Sequence, residues 1–141
     1  YAKWSKKVRQ HNSKIVKTSK NFEDQYVQID VSATHSHGSD GEHVHYGYAF
    51  TTWLNFEIAI EQALTIKKEL GNILPEKTEE LEKNFAQLES ELLSLHKQLK
   101  SIDTHETIIG SHPVYQYLST AYDLHIHCVH FEPNALPSPK Q

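Results

Sequence analysis

Residues 75–102, PEKTEELEKNFAQLESELLSLHKQLKSI, limit what this chain can fold into more than any other stretch. Leu81, Phe85, Leu88, Leu92, Leu95, Leu99 and Ile102 follow one another at alternating spacings of four and three, the period of a helix with one apolar stripe. Pro75 suits a first helical turn. Glu76, Glu79, Glu80 and Glu82 crowd the start and Lys97 and Lys100 the end, the polarity a helix dipole favours. From Pro75 to Lys100 such a helix is about 39 Å long, at ~1.5 Å per residue. Three heptads also describe a coiled coil, but the positions flanking the stripe lack a consistent charge code. The stripe therefore reads first as the packing face of one long helix, with a coiled-coil interaction module as an alternative.

The flanks decide the fold class. In NFEIAIEQALTIKKELGN, Asn55 is a good N-cap and Glu57 lies in the first turn. Gly71-Asn72 supplies a stop, so a second helix is expected there. Further on, ETIIGSH predicts a short buried strand, PVYQYLSTAYDL a helix opening at Pro113, and HIHCVHF another strand. Strand, helix and strand in so short a span make a βαβ unit with a parallel pair. Near the start, a short helix carries Trp4 and Val8 and a brief strand forms around Ile15 and Val16. Residues 21–47 are polar and aperiodic apart from a short strand at Tyr26–Val31. This long loop exceeds the usual ~12–15 residues, which favours a functional or disordered segment. The fold class is α/β.

At 141 residues, the chain makes one ordinary domain or two incomplete ones. Hydrophobic residues at 38% and charged residues at 23% belong to a soluble globular composition. The formal charge of −4 is spread out, against the basic stripe that nucleic acid requires. Cys128 is the single cysteine, which excludes an intrachain disulfide and a multi-cysteine zinc site. No apolar run approaches the roughly 18–20 residues of a membrane span. The chain opens on Tyr1 and holds no methionine, so it reads as an internal piece of a longer protein.

Histidine is the anomaly, with eleven in all. The stretch THSHGSDGEHVHYGYAF places His35, His37, His43 and His45 in a glycine-bearing loop as two HxH pairs. Closing such a loop on a metal costs ordering entropy, so a solvated loop or an accessory zinc trap competes with a true ligand set. His112 falls where the first strand of the βαβ unit gives way to its helix, the carboxyl edge at which open parallel sheets bind ligands. A histidine beside Pro113 also serves simply as a helix start. In YDLHIHCVHFE, His125 and His127 lie two apart on a strand and share a face, a metal-ligand geometry. The run imitates the DLHxH opening of PHP-type metal-dependent phosphoesterases, but only ten residues follow Phe131. That leaves a metal hydrolase as the alternative to an exposed strand histidine.

Several segments, in order, resemble one family. YAKWSKKV…SKIVKTSKNF is similar to its YxKWxxKV…KxVxTSKGF, AFTTWLNFEIAIEQALTI to its DPHxWLDPxxAxxxAxxI, and SHPVYQYLSTAYDLHIHCVHFEP to its FHDAYxYFAxxYGLxIxxVHxEP. These are the ZnuA/TroA-like solute-binding proteins of zinc and manganese ABC importers. The resemblance covers nearly the whole chain. It implies a two-lobed metal-binding protein: residues 1–72 are the C-terminal part of a first α/β lobe with the histidine-rich loop 34–46, residues 73–103 a long inter-lobe helix, and residues 104–141 the start of a second α/β lobe.

The resemblance also implies a function. The chain is not an enzyme; it captures a divalent transition metal, Zn2+ or else Mn2+, as transported ligand. Its partner is the membrane permease of an ABC importer, with no nucleic acid involved. Full length, it is a monomer in the periplasm or anchored outside the membrane. His112, at the FHDAY histidine, is a metal ligand. Where the family has its DPHxW histidine stands Thr51, a poor donor toward zinc, so either that ligand is lost or a loop histidine replaces it. His45 is the first choice, because it needs the least chain to close, and His43 the second. The family's remaining ligands, an early histidine and a late acidic residue, fall outside this chain.

Overall fold

The computed structural model describes residues 15–29 and 47–129, together with the backbone of two short strands at 35–36 and 42–43. The elements are β1 (His35–Ser36), β2 (Glu42–His43), α1 (Phe56–Ile73), α2 (Thr78–Lys100), β3 (Ile108–Gly110), α3 (Gln116–Tyr122) and β4 (Ile126–Cys128). Short 3-10 turns precede β1, α1 and α2, at Lys20–Gln25, Thr52–Leu54 and Pro75–Lys77. The described residues are therefore mostly helical, with small two-stranded sheets. The expected helix bearing Trp4 and Val8 lies outside the described residues.

Helix α1 starts as its sequence dictates. Asn55 is extended, and its side chain accepts the Glu57 amide, satisfying one of the donors a helix start leaves over. The expected stop at Gly71-Asn72 is overrun, and the helix closes at Ile73. Proline decides this end: Leu74 precedes Pro75 and is pushed out of the helical region, to φ −128 and ψ 65. The Leu74 amide still donates to Leu70 O at 2.8 Å. Pro75–Lys77 then turn as a 3-10 helix, with Thr78 Oγ1 donating to Pro75 O. The α-helix proper thus begins at Thr78 and not at Pro75.

Helix α2 folds back on α1. Lys67 Nζ reaches Glu82 at 2.7 Å and sits 4.7 Å above the Phe85 ring. Glu82 is exposed, so the ion pair contributes at most about 1 kcal/mol. The apolar stripe divides in two. Leu81, Phe85, Leu92, His96 and Leu99 are half-buried, while Leu88, Leu95 and Ile102 are exposed. A single neighbouring helix covers one side of a stripe this wide, and a seven-residue repeat also drifts ~20° per heptad around a straight helix. The packing-face reading thus describes the inner half.

The βαβ unit forms as expected. β3 and β4 are parallel, with Ile108 opposite Ile126, Ile109 opposite His127 and Gly110 opposite Cys128. Two details differ from the sequence expectation. Helix α3 opens at Gln116 instead of Pro113, because His112–Val114 are held in a tight turn. β3 is not buried: Ile109 is 69% exposed, since β4 is its one strand neighbour among the described residues. At the far end of α3, Asp123 adopts the left-handed conformation at φ 53 and closes the helix onto Ser119 O, a role aspartate tolerates.

Ahead of α1, Ile15 and Val16 join no ladder among the described residues. Of the strand expected at Tyr26–Val31, residues 30 and 31 lie outside the described residues, and residues 26–29 carry one antiparallel bridge, Gln28 to Tyr48. Flanking bonds reinforce it, from Ile29 N to Gly47 O at 2.9 Å and from Ala49 N to Val27 O at 2.8 Å. The stretch expected as loop opens with the Lys20–Gln25 turn, fixed by the buried ring of Phe22.

Phe22, Ala49, Ile58 and Tyr117 form the core, with Tyr26, Val27, Ile29 and Leu54 packed around them. Residues from before α1, from α1 and from α3 thus share one centre. Two phenols fasten it. Tyr117 Oη accepts the Val27 amide at 3.2 Å, and Tyr122 Oη accepts the Phe56 amide at 3.1 Å.

Candidate metal centre

His112 is presented by a short, well-determined turn. β3 ends at Gly110, where the Tyr115 ring lies against the backbone. A Cβ at residue 110 would stand 2.8 Å from Tyr115 Cδ2 and 3.4 Å from Cys128 Sγ, so only glycine admits this approach. The Val114 amide then donates to the His112 carbonyl at 2.9 Å, a three-residue turn to which the fixed φ of Pro113 is suited. Gln116 Nε2 donates to Pro113 O at 2.8 Å. The imidazole stands exposed on this frame, with Nδ1 3.2 Å from Ser111 Oγ. Holding one ring nitrogen through a neighbour is how a metal-ligating imidazole is commonly oriented.

Gly110→Ala tests the frame. The added methyl must displace the body of the Tyr115 ring, so a loss of about 1–3 kcal/mol is expected. Thermal melting measures the loss, and a shifted His112 ring resonance reports the moved turn.

Thr51 takes an unexpected part. It is buried, and its hydroxyl donates to the carbonyl of Val114. The position at which the resemblance places a histidine thus reaches the third residue of the turn bearing His112. It does so as a tether, with its hydroxyl proton committed to a carbonyl. Thr51→Val keeps the shape and leaves Val114 O without that donor. It should cost about 1–2 kcal/mol in urea unfolding and should broaden the His112 ring signals. Nothing in the sequence distinguished this use of Thr51 from a simple loss of the ligand.

The histidine-rich loop is rooted beside Thr51. The Gln28–Tyr48 bridge joins its two ends, and between them β1 pairs antiparallel with β2, His35 opposite His43. His45 and His37, and the side chain of His43, lie outside the described residues. Among the described residues, no three histidine, cysteine or carboxylate side chains are grouped to hold a metal. His125 and His127 are exposed on and beside β4. His125 precedes β4 at the end of the parallel pair away from His112, and His127 lies within β4 opposite Ile109.

A further histidine, on α2, is structural. His96 Nδ1 lies 3.3 Å from Tyr122 Oη, the rings 5.5 Å apart. Burial, opposed by the Phe56 amide and aided by Glu57, holds the Tyr122 phenol above its usual value. The tyrosines of VYQYLSTAY were the only signal for these cross-links.

A helical hairpin packs beside a βαβ unit here, and the imidazole past the carboxyl end of the parallel strand stands where open α/β sheets bind ligands. Residues 2–141 match the family model described as ZnuA, zinc-uptake complex component A, periplasmic, and the chain belongs to that family. The structure is similar to the zinc-bound ZnuA-like domain of Streptococcus pneumoniae AdcA, at 28% identity and a TM-score of 0.58, over 66% of this chain and 36% of that one. It is also similar to a crystal structure of ZnuA, at 21% identity and a TM-score of 0.71, over 97% and 51%. A third likeness, in fold, is to S. pneumoniae AdcAII, at 22% identity and a TM-score of 0.58, over 90% and 44%. The chain thus spans about half, or less, of the length of these structures. A search of curated proteins gives no match.

Proposed function

We propose that this protein captures a divalent transition metal, zinc in the first instance, outside the inner membrane and hands it to the permease of an ABC importer. It binds its cargo without transforming it. His112 is one ligand, and His45, or failing it His43, arrives from the histidine-rich loop in place of the imidazole that Thr51 does not supply. Residues 1–72 and 104–141 belong to two lobes that face each other across the crevice, and residues 73–103 form the helix that limits how far they rotate. Nitrogen donors suit zinc, although geometry and availability weigh more in selectivity than raw affinity.

The observation that carries this reading is the hydrogen bond from Thr51 to Val114. It draws the root of the loop and the His112 turn into one neighbourhood. His45 lies two residues before Gly47, a reach of about 7 Å of extended chain. Zinc titration calorimetry of His45→Ala and His43→Ala tests the loop's part. His45→Ala is expected to weaken binding by about 100-fold or more, since loss of a group that only orients a ligand already costs about 10–100-fold. Unchanged affinity in both variants removes the loop from the site.

A further inference from the structure

His125 and His127 have no part in the crevice reading, yet the backbone around them is hydrogen-bonded on both sides. The Leu124 amide donates to Ser119 O at 3.1 Å, and Ser119 Oγ donates to Leu124 O at 2.7 Å. The Ile108 amide donates to His125 O at 2.8 Å, and His127 is paired with Ile109 in the ladder. Leu124 itself is buried. The chain on both sides of His125 is therefore fixed before any ligand comes.

The two side chains meet the same space. His125 is the centre of a three-residue turn, with the Ile126 amide donating to Leu124 O at 2.9 Å, and His127 follows in β4. Both line an open depression of about 340 Å³, with Thr107 and Ser119 at its wall. Both residues are exposed. Neither imidazole is hydrogen-bonded to a described residue, in contrast to His96 and His112.

We propose that His125 and His127 form a second metal site, a two-imidazole chelate for a divalent ion of the zinc or copper(II) type, with water filling the other positions. Each imidazole contributes one nitrogen lone pair at a metal distance of about 2.0–2.1 Å. Because the backbone is already ordered, little conformational freedom is lost on binding. Two protein donors make the site weaker than a closed tetrahedral one and open to exchange, and copper(II) should bind it more tightly than zinc.

This site is offset from His112 along the parallel pair. His125 stands one residue before the first ladder pair and His127 opposite Ile109, whereas His112 lies two residues beyond the other end of β3.

The test is titration of the purified protein with Zn2+ and with Cu2+. Calorimetry is followed alongside histidine ring NMR signals, or Cu2+ EPR. A second, weaker class of site is expected, in which the His125 and His127 signals respond together. His125→Gln and His127→Gln should each weaken that class at least tenfold, and the double variant should lose little more. His112→Ala should leave it unchanged, so failure here and failure of the crevice reading are separable. Circular dichroism shows whether each variant stays folded. Single variants that each remove only an independent half of the loss would mean two separate imidazoles and would overturn the chelate. Ring signals that do not respond to either metal would also overturn it.

Discussion

Zinc affinity falls by about 100-fold or more when His112 is replaced by alanine, while the metal-free protein melts where it did before. The first half follows from the ligand role. Removing a group that merely orients a ligand commonly costs 10–100-fold, and His112 is proposed as a donor itself. The second half follows from position, because the ring is exposed and its turn is built from the backbone of Val114 and the side chains of Gln116 and Thr51. Calorimetry reads the affinity. Zinc-dependent melting gives an independent measure, since a 100-fold difference in affinity removes up to about 2.7 kcal/mol of ligand stabilisation. A His112→Ala protein that bound zinc as tightly as its parent would detach the captured metal from the turn between β3 and α3.

The largest effect on stability is expected at Tyr117. Its ring is 2% exposed at the centre of the core, and its hydroxyl accepts the Val27 amide. Tyr117→Ala opens a cavity and should cost about 3–5 kcal/mol, much of the total for a domain stabilised by roughly 5–15 kcal/mol. Tyr117→Phe keeps the ring and removes only the acceptor, so about 1–2 kcal/mol should be lost. Urea unfolding of the pair separates packing from hydrogen bonding. Equal losses would show that the Val27 contact, and with it the joining of the loop root to α3, dominates.

The parts of this fold that were legible in sequence are those governed by local rules. The Asn55 cap, the stripe of α2 and the parallel βαβ unit all follow from periodicity and capping chemistry. The parts that were not legible depend on partners distant in the chain. Gly71-Asn72 looked like a helix end, but the restriction that Pro75 places on Leu74 acts further along. Ile108 and Ile109 looked like a buried strand, a property that depends on what covers the sheet. Leu88 and Leu95 matched their stripe as well as Leu81 and Leu92 did, and only the placement of α1 separates them. At the candidate site, His112 was legible because a strand-to-helix junction in a βαβ unit is a general place for ligands. Thr51 was legible only as a missing histidine. Its bond to Val114 spans 63 residues, and no local pattern announces such a pairing.

The bridge between Gln28 and Tyr48 has an evolutionary corollary. A segment whose two ends are knotted together at the base can be lengthened, shortened or recoded without moving the framework that carries it. The entropic cost of lengthening it rises only with the logarithm of its size, by about 0.6 kcal/mol for each doubling. Residues 30–46 are therefore where descendants of this protein can alter their count of imidazoles most cheaply, while α1, α2 and the βαβ unit stay as they are.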